Sequence, residues 1–64
     1  MQRQNLINTR KNANLTQAQI SDKLNISVRQ YQRIEAGTSN GSLEIWLKLK
    51  SILNQSIDYL TSQE

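Results

Sequence analysis

Ser27 to Arg33 reads SVRQYQR, placing two guanidinium groups and two carboxamides within two turns of a helix. A guanidinium can give two parallel hydrogen bonds to guanine O6 and N7, and a carboxamide can pair with adenine N6 and N7. On a helix Arg29, Gln32 and Arg33 recur at i, i+3 and i+4 and share one side, while Tyr31 and Ile34 are left to face inward. No acid stands between Val28 and Arg33. The chemistry on offer is recognition of bases and phosphates: Val28 on a thymine methyl, Arg29 and Gln32 on base edges, Arg33 on a base or a phosphate. Gln17, Ser27, Gln30, Thr38 and Asn40 are candidates for phosphate contact through amide or hydroxyl donors. A solvated helix or loop surface is the competing reading of each group. The sign of the face favours a polyanion, since an acidic or apolar face would suit a protein partner.

The 64 residues carry 8 Lys and Arg against 5 Asp and Glu, a net charge of +3. The sequence pI of about 9.7 agrees with an acidic partner but does not say which one. Neither Cys nor His occurs. That excludes disulfides, thiolate metal sites and the commonest general base. Asp22, Glu35, Glu44, Asp58 and Glu64 are dispersed, with no metal cage and no nucleophile beside its base. The expectation is a binding protein, not an enzyme, with neither metal nor cofactor. No apolar run is long enough to span a membrane, and MQRQNLINTR lacks the apolar stretch of a signal peptide. A cytoplasmic location is expected, with no membrane partner. The length predicts one domain, 1–64, around one small core.

The elements that must position these groups are helical, since Pro is absent and Gly scarce. A first helix is predicted over about Arg3 to Ala13, with Leu6, Ile7 and Arg10 on one face. Asn14 then takes a left-handed turn. Thr16 with Gln19 forms a capping-box pattern for a second helix, Gln17 to Leu24, which buries Ile20 and Leu24 beside the small Ser21. Asn25 turns the chain, Ile26 plugs the core, and Ser27 caps a third helix, Val28 to Ala36, ended by Gly37. Ser42 caps a fourth, Leu43 to Leu53, and Ser56 a short fifth carrying Ile57 and Leu60. Lys11, Lys23 and Arg3 read as solvated charges. Trp46, Ile45 and Tyr59 read as surplus apolar surface, with Trp46 in the core and a self-association patch as the alternative.

LTQAQISDKLNIS, the RIEAG that follows, and SLEIWLKLKSILNQSIDYL together resemble the Cro/lambda-repressor-like (XRE-type) helix-turn-helix family of bacterial and phage transcription regulators. The resemblance runs from Leu6 to Leu60. It implies an all-α, compact five-helix lambda-repressor-like domain, with the helix-turn-helix at about 16–36 formed by helices 2 and 3, that binds operator DNA as a dimer. Gln17 matches a phosphate-contacting position. Ser27, Val28, Arg29, Gln32 and Arg33 match DNA-facing positions, and Thr38 and Asn40 fall in a loop that meets the backbone. Arg10 and Glu35 match a structural ion pair found in some members. The chain departs from the family at Ser21 (usually Ala), Asn14 and Asn25 (usually Gly), Lys50 (usually small) and Gln55 (usually apolar). Gly41 stands where many members have Pro, which predicts a looser loop.

The expected function is therefore a sequence-specific regulator of transcription, a repressor, that reads double-stranded operator DNA in the major groove with its third helix. A homodimer, at least on DNA, is the expected assembly. With no separate sensor domain read from the sequence, regulation falls to the protein's own concentration or to a regulatory protein partner. The alternatives are an antitoxin, a restriction-control or a phage switch protein of the same fold, or a protein-interaction module that has lost operator binding.

Overall fold

The computed structural model describes residues 2–61, which form α1 (Gln4–Asn12), α2 (Gln17–Leu24), α3 (Val28–Ala36), α4 (Leu43–Leu53) and α5 (Ile57–Thr61). No strand occurs among the described residues. Hydroxyl caps set four of the starts. Thr16 Oγ1 accepts from the Gln19 N–H at 3.1 Å while Gln19 Oε1 accepts from the Thr16 N–H at 2.9 Å, a complete capping box. Ser27, Ser42 and Ser56 accept from Gln30, Ile45 and Tyr59 N–H groups respectively. The stops use left-handed backbone: Asn14, Asn25 and Asn54 lie at φ 59, 60 and 55°, and Gly37 at 81°. α1 is one residue shorter at each end than its periodicity predicts, with Arg3 as its N-cap and Ala13 as its C-cap.

α2 packs on α3, α1 on α3 and α5, and α4 on α2 and α5. Leu6, Ile20, Leu24, Tyr31, Ile34, Leu49 and Leu60 are completely enclosed between them. Each such aliphatic side chain contributes about 1.5–3 kcal/mol by leaving water. Leu15, Ile26, Ile52 and Ile57 close the margins. Ser21 is buried too, and its hydroxyl donates to the Ala18 carbonyl at 2.9 Å, so a small polar residue fits at no cost in unmet hydrogen bonds.

Two expectations are corrected. Ile45 is not surplus surface, and Trp46 takes the core place expected of it. They join Leu49 and Leu53 on the inner side of α4, where the Trp46 indole N–H also bonds the Asn40 carbonyl at 2.6 Å. Tyr59 is exposed as expected, and the other exposed large apolar side chains are Leu43 and Leu47 on α4 and Val28 at the start of α3. Arg3 is not solvated either. It is only 5% exposed, and its backbone N–H donates to the Glu35 carbonyl at 2.7 Å. Its guanidinium donates to the carbonyls of Ile34 (2.5 Å) and Ser39 (2.8 Å) and to Asn40 Oδ1 (3.2 Å), and lies 5.3 Å from the Trp46 ring centroid.

A second buried cation holds the centre. Arg10 Nε lies 2.6 Å from Glu35 Oε2, with both side chains less than a tenth exposed. Arg10 also donates to the Leu15 carbonyl at 2.8 Å, and the Tyr31 hydroxyl donates to Glu35 Oε2. Burial works against the Arg10 charge, but the hydrogen bond and attraction of Glu35 outweigh it, and the guanidinium pKa is raised. Burial, then the bond to Glu35, pushes the Tyr31 phenol far above its usual range, so it remains a donor.

Removing Glu35 strands the Arg10 charge, which costs about 3–5 kcal/mol. Glu44 is an exposed partner of Lys48 at 3.4 Å. Its loss costs about 0.5 kcal/mol or less. Thermal unfolding is expected to place Glu35→Ala far below Glu44→Ala, and equal melting temperatures would disprove the role of the pair. Tyr31 also implies an alkaline limit. The unfolded chain releases the phenolic proton near about pH 10 while the folded chain keeps it, so this contribution is complete below that pH and lost above it. Denaturant unfolding is expected to weaken more steeply above about pH 10 for wild type than for Tyr31→Phe. Parallel curves would mean that the phenol is not held protonated.

Candidate nucleic-acid interface

α3 divides cleanly by depth. Tyr31, Ile34 and Glu35 are buried, whereas Val28, Arg29, Gln30, Gln32 and Arg33 are all exposed, and Ser27 is exposed at the cap. The division follows from the 3.6-residue period together with the two ends described above. Neither Arg29 nor Arg33 enters an ion pair among the described residues, and the only acid of α3, Glu35, is consumed by Arg10. The outward face is therefore positive and unneutralised.

Gln17, in the first turn of α2, sits beside this face. Its Nε2 donates to Glu35 Oε1 at 3.0 Å, and its Oε1 accepts from Gln32 Nε2 at 3.1 Å. The two helices are thus bridged on their outer side by side-chain amides. Ser27 Oγ accepts its capping bond, which leaves the hydroxyl proton free to donate outward. Gln30 shares the first turn of α3 with no side-chain partner among the described residues.

The other phosphate candidates follow the far end of α3. Thr38 Oγ1 donates to the Arg33 carbonyl at 3.2 Å. Asn40 Oδ1 accepts from Arg3, so its Nδ2 donors are left without a partner among the described residues. This loop is not loosened by Gly41. Arg3 bonds it at Ser39 and Asn40, and Trp46 bonds it at the Asn40 carbonyl. Gly41 itself lies at φ +68°, where a Cβ would come 3.3 Å from Ile34 Cδ1 and 3.5 Å from the indole nitrogen. Proline, fixed near φ −65°, does not fit this backbone.

Arg3 is the residue that sequence reasoning missed. Its signal was present: Arg3, Leu6 and Arg10 stand at i, i+3 and i+7, the inward stripe of α1. The described residues hold no group of three or more His, Cys, Asp or Glu suited to a metal ion. No helix of the described residues is long and apolar enough to cross a membrane.

The helix-turn-helix family matches residues 6–60. The cryptic phage CTXphi transcriptional repressor RstR of Vibrio cholerae serotype O1 is 38% identical over 58 residues, covering 91% of this chain and 52% of the relative. The chain thus spans about half the length of that curated relative. No solved structure matches.

Proposed function

The chain belongs to the Cro/lambda-repressor-like (XRE-type) helix-turn-helix family, and from that premise we propose that it is a DNA-binding regulator of transcription, acting as a repressor in the cytoplasm. The observation that carries the reading is the outward side of α3, where two unpaired guanidinium groups and two amides stand exposed with no acid among them. In this reading α3 enters the major groove. Arg29 pairs with guanine, Gln32 with adenine and Val28 with a thymine methyl, while Arg33 takes a base or a phosphate. Ser27 offers its hydroxyl proton, Asn40 its Nδ2 and Gln17 its second Nε2 proton to phosphates on either side, with Gln30 and Thr38 as further contacts. That the similar RstR is by name a transcriptional repressor supports the direction of regulation.

A homodimer completes the reading. The described chain measures 26 Å in its longest dimension, and half-sites one helical turn apart are separated by about 34 Å. One copy cannot engage both, whereas two copies so spaced bring their side chains within reach of one another. Leu43 and Leu47, exposed one turn apart on α4, are the apolar surface available for that contact. A regulatory protein partner has the same surface to use.

Selection of bound sequences from a random duplex pool at about 150 mM salt tests the function. Wild type is expected to enrich a palindromic motif, and Arg29→Ala to lose about 1–3 kcal/mol of preference at one base pair of each half. Binding without a motif that vanishes as salt rises would reduce the interaction to counterion release and bring the protein-interaction reading forward. Sedimentation with operator DNA is expected to show two copies per site. A strict monomer on DNA would reject the dimer.

A further inference from the structure

The amide bridge between α2 and α3 has a direction, and the direction originates in the core. An ionised carboxylate accepts hydrogen bonds and has none to give. Both oxygens of Glu35 are ringed by donors: Arg10 Nε and the Tyr31 hydroxyl at Oε2, Arg10 Nη2 and Gln17 Nε2 at Oε1. The Gln17 amide must therefore turn its nitrogen inward, which leaves its oxygen facing Gln32. Gln32 in turn must present an N–H to that oxygen. A flipped Gln17 would set oxygen against carboxylate, and a flipped Gln32 would set oxygen against oxygen. Two exposed or half-exposed amides, each free in principle to take either orientation, are thereby held in one.

Resting on the reading of α3 as a DNA-recognition helix, we infer that Glu35, acting through Gln17, fixes the hydrogen-bond polarity of Gln32 and so makes it selective for adenine over guanine. With one N–H committed to Gln17, Gln32 has one N–H and its Oε1 left to offer. That pair matches adenine, which presents the N7 acceptor and the N6 donor side by side. Guanine presents two acceptors, N7 and O6, and would require both N–H groups or would face the Gln32 oxygen with its own. An amide without the relay could turn both N–H groups to guanine. Glu35 and Gln17 are thus positioning residues for base choice. The Gln17 amide uses one N–H on Glu35 and keeps the other for a phosphate.

The test compares wild type, Gln32→Ala, Gln17→Met and Gln17→Ala, first by selection from a random duplex pool and then by affinity for duplexes carrying each base at the position that Gln32→Ala flattens. Thermal unfolding establishes that each variant is folded. Two substitutions at Gln17 are used so that misfolding of one leaves the other. Wild type is expected to prefer adenine at that position. Both Gln17 variants are expected to weaken binding to all duplexes and, in addition, to lose about tenfold of the adenine-over-guanine preference there, while the preference that depends on Arg29 stays. A uniform loss with the adenine preference intact would overturn the inference and leave Gln17 as a phosphate contact only. A wild-type preference for guanine at that position, or no position flattened by Gln32→Ala, would overturn it equally. Failure of wild type itself to enrich any motif is a different result, since it removes the DNA-reading function on which the inference rests.

Discussion

Burying a carboxylate is costly unless donors meet its lone pairs, and Glu35 draws donors from α1, α2 and its own helix. Arg10, Gln17 and Tyr31 each reach it from a different direction. Apolar packing tolerates a small slide of one helix along another, but a hydrogen bond weakens steeply as it lengthens or bends. The cluster therefore fixes the register of three helices at one point. Such a point counts for more here than in a larger protein, because a chain of this size encloses few side chains completely. The same carboxylate is also the only acid of α3, and by being buried and paired it leaves the outer side of that helix without negative charge.

The C-terminal end of α3 is held by a second buried cation, and this one has no carboxylate. Arg3 is compensated by carbonyl and amide oxygens at Ile34, Ser39 and Asn40 and by the face of Trp46. Carbonyls at a helix C-terminus carry the negative end of the helix dipole, which suits a guanidinium. The arrangement leaves Arg3 Nε buried and unpartnered among the described residues, a cost offset by four other contacts. Its consequence is a tethered loop between α3 and α4. Trp46, buried beneath the loop, supplies the second tie. The two ends of α3 are therefore set by different means, a serine cap at the start and a buried arginine at the finish.

These two nodes account for how so small a helix pair can present side chains in a defined geometry. Recognition of a base edge requires side chains placed within fractions of an ångström by groups that are themselves locked. α2 and α3 meet inside through Ile20, Leu24, Tyr31 and Ile34, and outside through the Gln17–Gln32 bridge. The inner contact sets the distance between the helices, and the outer one orients the polar ends.

Much of this was legible in the chain. Thr16 with Gln19, and Ser27, Ser42 and Ser56, mark helix starts because their hydroxyls satisfy the first free N–H groups. Asn14, Asn25, Gly37 and Asn54 mark the ends because they accept positive φ. These are local rules, and the boundaries of α2, α3 and α4 follow from them directly. The exposed residues of α3 could be picked out for the same reason, since a helical period assigns sides. What no local rule contains is which distant group a long side chain will find. Arg3 lies 31 residues from the Ile34 carbonyl it bonds, so whether it reaches water or the core depends on where α3 ends in space. Ile45 was assigned to the surface on an apolar surplus in α4, but only the packing of α4 on α2 and α5 decided that Leu43 and Leu47 were the residues left outside. The orientation of the amides at Gln17 and Gln32 is likewise a tertiary decision. The sequence by itself determined the helices, their sides and the charge of the outer face, because these depend on neighbours a few residues apart. The tertiary structure alone decided where the buried cations found their oxygens and which way the outer amides point, because those depend on acceptors brought near only by the closure of the whole fold.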